Sequence, residues 1–142
     1  MNEHGVMEAT PQEAWKILRE DPDAVLIDVR STMEFEYVGH PVGSVNIPWR
    51  EFPGWLINRD FVDLVRQLLT SRQEIVTKIE SQPLLLICRS GRRSQEAGEE
   101  LARNGFRNVY NIAEGFEGNR DSEKHRSTIS GWRHHDLPWE QS

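Results

Sequence analysis

The chain holds a single cysteine, Cys88, among 142 residues. That excludes an intrachain disulfide framework and any thioredoxin-like pair of neighbouring thiols. Long apolar runs are missing as well. The longest are four or five residues, far short of the roughly 20 that cross a bilayer. The N-terminal stretch, residues 1–12, has neither a basic start nor an apolar core, so no signal peptide is read there. Positive charge is in deficit: 17 Lys and Arg against 23 Asp and Glu leave a formal net charge of -6. Such a surface attracts neither nucleic acid nor an anionic membrane. A metal is not expected either. His125, His134, His135 and Asp136 are ligand types, but adjacent histidines diverge from most backbones and no cysteine is spare to join them.

What is present centres on Cys88. Four aliphatic residues, Leu84–Ile87, lead into the run Cys88-Arg89-Ser90-Gly91-Arg92-Arg93-Ser94, and a helix-like stretch follows over residues 94–103. A thiol between a strand end and a helix start lies among free backbone N–H groups. Three arginines stand within five positions of it. Both effects favour the thiolate, which is the nucleophile. A lone cysteine is ordinarily a small core residue, but a core position is not flanked by Arg89, Ser90 and Gly91. A local positive patch on an acidic protein suits a small anionic substrate.

The rest of the chain alternates strands and helices. Thr10-Pro11-Gln12-Glu13 reads as a capping box with proline in the first turn. Asp21-Pro22 stops that helix. Apolar runs at residues 24–27 and 84–87 have the composition of buried parallel strands. Residues 44–47 and 109–112 read as further strands, and the pattern over residues 60–80 is helical. Ser94 reads as the cap of the helix that ends at Asn104-Gly105. The expectation is one α/β domain with a mostly parallel central sheet flanked by helices. Cys88 then stands at a carboxyl strand end, where such sheets place their sites.

Several ordered segments together resemble the rhodanese (thiosulfate sulfurtransferase) family. Asp28-Val29-Arg30 looks like its first signature, followed by Glu34-Phe35. Residues 39–48, Gly-His-Pro-Val-Gly-Ser-Val-Asn-Ile-Pro, are similar to its Gly-His-Ile-x-Gly-Ala-x-Asn-Ile-Pro segment. The Cys88 loop has its Cys-x-x-Gly-x-Arg-Ser form. Gly105-Phe106 and Val109-Tyr110 resemble the strand after the catalytic helix. Glu114-Gly115-Phe116-Glu117-Gly118 departs from the family's paired glycines. Trp132 and Leu137-Pro138-Trp139 resemble its closing segment, which anchors the tail. Cysteine-dependent phosphatases use a related loop with five residues between cysteine and arginine; here that arginine slot is Ser94, and Arg93 comes one residue early.

The resemblance implies a rhodanese-like domain over residues 10–140, with 1–9 as a short N-terminal extension. It implies Cys88 as nucleophile and carrier of a persulfide, with Arg89, Ser90, Gly91, Arg92, Arg93 and Ser94 binding substrate. Arg93 takes the slot of the loop-closing arginine, and Asp28 and Arg30 that of a structural pair. Arg30 and Glu34 are candidates for an ion pair, and His40 for a hydrogen-bonded structural residue. Sulfane sulfur moves from a small anionic donor such as thiosulfate to a thiol, cyanide or protein acceptor. No metal or organic cofactor is implied, and the compartment expected for a free reactive thiol is the cytoplasm. The alternative is a sulfur-relay or binding module that serves a protein partner and handles free thiosulfate poorly. The segment 119–131 reads as an exposed polar loop without assigned work.

Overall fold

Thr10 opens the first helix as its sequence predicts. Its hydroxyl accepts from the Glu13 N–H at 3.1 Å, and the Glu13 carboxylate accepts from the Thr10 N–H at 2.9 Å. The computed structural model describes residues 5–72 and 78–142. In chain order the elements are β1 (Val6–Ala9), α1 (Pro11–Glu20), β2 (Val25–Asp28), a π-helical turn (Glu34–Val38), β3 (His40–Pro41), β4 (Val45–Asn46), β5 (Arg50–Glu51) and β6 (Leu56–Ile57). Then come α2 (Phe61–Arg72), a 3-10 turn (Ile79–Ser81), β7 (Leu84–Ile87), α3 (Arg92–Arg103), β8 (Val109–Ile112) and β9 (Trp139–Glu140). The helical pattern read over 60–80 therefore divides into α2 and the 3-10 turn. Its Ile75 and Val76 lie outside the described residues.

Five strands form a parallel sheet in the order β1-β8-β7-β2-β4. The stretch 1–9 supplies the edge strand β1, which pairs with β8 from Val6 to Ala9. Alternation along β7 splits the core in two. Leu84 and Leu86 face Val65 and Leu69 of α2 and Leu101 of α3. Leu85 and Ile87 face Ala14 of α1, Phe116 and Trp132. Both faces are covered, so β2 and β7 are apolar almost throughout. Trp132 is fully buried, edge-on to Trp15 with ring centroids 6.0 Å apart, and its indole N–H donates to the Pro138 carbonyl at 2.9 Å. Trp139 is 38% exposed and lies in β9, which pairs antiparallel with β3. The two tryptophans thus fasten the tail, Trp132 by burial and Trp139 by an edge-on contact with Phe116.

Candidate active site

Strand β7 delivers Cys88, 1% exposed, to the carboxyl edge of the sheet. The chain then turns at Gly91, whose φ of +109° and contact with the Ala113 carbonyl leave no room for a Cβ. Gly91 is the residue that caps α3, and the helix begins at Arg92. The expectation that Ser94 caps it is therefore corrected. Ser94 falls in the first turn and is buried, with Oγ 3.2 Å from Cys88 Sγ and 2.5 Å from Asn111 Oδ1. Its one hydroxyl proton serves one of these acceptors at a time. The Gly91 N–H donates to the same sulfur at 3.1 Å, and the amides of Arg92, Arg93 and Ser94 open the helix without an intrahelical acceptor.

The loop is braced from behind. The Phe116 N–H donates to the Cys88 carbonyl at 2.8 Å, and the Glu117 and Gly118 N–H groups donate to the Arg89 carbonyl at 3.0 and 3.1 Å. Gly115, at φ +70°, packs so closely on Arg89 and Ser90 that any side chain would strike their backbone. A single glycine before Phe116 thus does what close approach requires, although the paired glycines are absent.

Two carboxylate–guanidinium pairs stand beside the loop, and neither is the expected Arg30–Glu34 contact. Arg30 instead pairs with Asp28, the structural partner that the family resemblance implied, Nε to Asp28 Oδ1 at 2.9 Å and Nη2 to Asp28 Oδ2 at 2.6 Å, and Nη2 also donates to the Gly39 carbonyl. Glu34 is claimed by Arg93 at 2.8 and 3.0 Å and by the Ser31 hydroxyl at 2.9 Å. Burial alone would raise the Glu34 carboxyl. The Arg93 bonds and charge, with those from Ser31, overcome burial and hold it at about 2. Burial likewise works against the Arg93 charge, but Glu34 keeps its pKa raised. Arg93 also lies 5.1 Å from the Trp55 ring centroid. It ties the loop across to the π-helical turn and to the β5–β6 hairpin.

Above Cys88 opens a cleft of about 770 Å³ walled by Glu34, Arg50, Trp55, Arg93 and Arg126. Arg89, Ser90 and Arg92 also line it, Arg89 and Arg92 being exposed. Sequence reasoning missed Trp55, Arg126 and Asn111, because nothing local marks them; they meet Cys88 only through the fold. Asn111, buried in β8, donates to the Gly91 carbonyl at 3.1 Å while accepting from Ser94. His40 is bonded as expected, Nδ1 2.8 Å from the Phe35 carbonyl. Of the C-terminal histidines, His135 meets Glu114 at 2.7 Å and Gln12 at 2.9 Å. Among the described residues no three His, Cys, Asp or Glu side chains are grouped to hold a metal, and no helix is long and apolar enough to cross a membrane.

The comparisons with known proteins agree with this architecture. A model of the rhodanese-like domain matches residues 10–121. An uncharacterised Rickettsia rickettsii protein is 31% identical over 128 residues, spanning 90% of this chain and 92% of its own. The thiosulfate sulfurtransferase GlpE of Glaesserella parasuis is 27% identical, over 78% of this chain and 83% of its own. Among solved structures, Rv0390 from M. tuberculosis superposes with a TM-score of 0.80 at 34% identity, covering 96% of this chain and 98% of that one. The polysulfide-sulfur transferase of Wolinella succinogenes, at 23% identity and a TM-score of 0.59, covers 99% of this chain and 82% of its own and shares the fold. A match over most of the chain, on a sheet whose carboxyl edge carries the Cys88 loop, places this protein in the rhodanese-like domain family.

Proposed function

We propose that the protein is a sulfurtransferase that works through a persulfide on Cys88. The observation that carries this reading is the sulfur itself. It lies at the floor of an arginine-lined cleft, with the Gly91 N–H at 3.1 Å and the Ser94 hydroxyl at 3.2 Å. Cys88 thiolate attacks the outer sulfur of thiosulfate or a comparable donor. Sulfite leaves, and the N–H groups at the head of α3 face the persulfide. A thiol, cyanide or protein acceptor then takes the sulfur. The covalent intermediate splits one difficult transfer into two easier ones. With no second cysteine in the chain, the sulfur cannot leave through an internal disulfide. Arg89, Ser90, Arg92 and Arg93 line the donor's path, and the likeness to proteins named thiosulfate sulfurtransferase supports the choice of donor. A cytoplasmic setting suits the free thiol.

One observation favours a protein partner as donor or acceptor. Phe52 on the cleft rim and Leu56 on the same hairpin are 58% and 76% exposed. With Ile57, 44% exposed on the same hairpin, they form a group, and grouped exposed apolar side chains beside a site mark an interaction surface where one scattered singly would not. The deciding experiment is intact mass after incubation with thiosulfate. A gain of about one sulfur atom, removed by cyanide and absent in Cys88→Ala and Cys88→Ser, is expected. Thiocyanate formation by the alanine variant would remove Cys88 from the mechanism. Loading from a protein persulfide but not from thiosulfate would select the relay.

A further inference from the structure

The cleft holds five arginines, and two of them have carboxylate partners. Arg93 is bound by Glu34, and Arg50 faces Glu96 at 4.0 Å. Among the described residues, Arg89, Arg92 and Arg126 have no carboxylate within the 4.0 Å of an ion pair. Arg126 comes from the segment 119–131, which its sequence marks only as a polar loop. That loop is firmly folded. Asp121 accepts from the Glu123 and His125 N–H groups at 2.8 and 2.9 Å and from the Thr128 hydroxyl at 2.6 Å. The Ser127 N–H donates to the Glu117 carbonyl at 2.7 Å. Arg126 spends Nη1 on the Gly118 carbonyl at 2.7 Å, which leaves the rest of its fork for a ligand.

Burial, and after it the charge of Arg89, pulls the Arg126 guanidinium below its ordinary value. Arg120 adds to this, while Glu117 opposes it from a carboxylate already 3.9 Å from Arg133. Two like charges held in one cleft repel each other, and an anion carrying more than one negative charge relieves both at once. We propose that Arg126 and Arg89 form the seat of a doubly charged leaving group, and that Arg126 makes the chain select dianionic sulfur donors over monoanionic ones. The inference rests on the sulfur-transfer reading above. In the step, Cys88 Sγ forms a bond to the donor's outer sulfur. The donor's own S–S bond breaks, its electron pair leaves on sulfite, and no proton moves. The seat holds the two charges that sulfite carries away.

The test compares thiosulfate, a dianion, with methanethiosulfonate, a monoanionic donor of the same sulfur. Arg126→Gln raises the apparent KM for thiosulfate at least about tenfold, the size expected for a lost charged hydrogen bond. It leaves kcat, and both constants for methanethiosulfonate, within about threefold. Arg126→Lys restores most of the loss, and Lys124→Gln, which removes an exposed charge of the same loop, alters neither donor. In a Cys88→Ser background, where no sulfur is transferred, calorimetry should show thiosulfate binding weakened at least about tenfold by Arg126→Gln. Weakened binding beside a wild-type Cys88 that never loads would keep the seat and sink the transfer reading. Loading intact with both donors affected equally, or with neither affected, overturns the seat. Should Arg126→Gln fail to fold, salt decides: a KM for thiosulfate that rises no more steeply with ionic strength than that for methanethiosulfonate also overturns it.

Discussion

Asp28–Arg30 and Glu34–Arg93 are the same chemistry in two surroundings. Both are forked guanidinium–carboxylate pairs, and both lie near the carboxyl edge of the sheet. The first has side chains 0% and 0% exposed, under the Phe116 ring. The second is 12% and 18% exposed and forms part of the cleft wall. A third pair, Arg50–Glu96, stands on the rim at 27% and 45%. The series teaches that burial, more than the residue types, assigns a charge pair its work. Sealed from water it fixes the fold, at the cleft wall it positions a loop, and on the rim it is screened.

The largest effect should come from the sealed pair. Asp28→Ala leaves Arg30 charged and unpaired, which costs about 3–5 kcal/mol. Urea unfolding would measure it, and a loss below about 1 kcal/mol would break the ranking. Glu34 comes next, with a pH signature. Its folded pKa lies below its ordinary value of 4.5, at about 2. The stability it adds is therefore complete above the unfolded value and is lost as pH falls from about 4.5 through about 2. At most about 3–4 kcal/mol is involved, and Glu34→Gln should flatten that acid branch of the unfolding free energy. An acid branch identical in both proteins would mean that Arg93 does not hold the carboxylate. Arg93→Ala should slow Cys88 loading by thiosulfate about tenfold or more, roughly 1.4 kcal/mol, because the loop loses its tie to Glu34 and Trp55. Stopped-flow loading of the folded variant reads this. The rim pair closes the series: Glu96→Gln should change stability by about 0–1 kcal/mol, and that small change should fade as salt is added. A larger or salt-insensitive effect would place Arg50–Glu96 with the buried pairs.

The sequence made some of this plain and left the rest hidden, for a physical reason. The α1 capping box, β7 and β8 are written in contiguous residues, and each forms within the predicted bounds. The Cys88 loop is legible because cysteine, glycine and arginines share one short run. Ser94 misleads because a cap and a first-turn residue differ by a few positions, and the left-handed Gly91 starts the helix early. Arg30 and Glu34 fit the spacing of a helical pair, yet Asp28 is nearer once the chain leaves β2 extended. Trp55, Arg93 and Glu34 meet from three separate stretches, and Arg126 arrives from a fourth. No window of sequence contains them together.

The brace behind the cysteine has a consequence for the order of events at the ribosome. The carbonyls of Cys88 and Arg89 are held by amides of Phe116, Glu117 and Gly118. The nascent chain therefore exposes its only thiol before the residues that shape its loop have emerged beside it. Edge strand β1 must also wait for β8. Until residues 109–118 emerge and dock, the sulfur is an ordinary exposed side chain, open to oxidation and to mixed disulfides. Protection of that thiol from a rapid alkylating pulse during refolding should thus arrive late and together with global structure, rather than with the first helices.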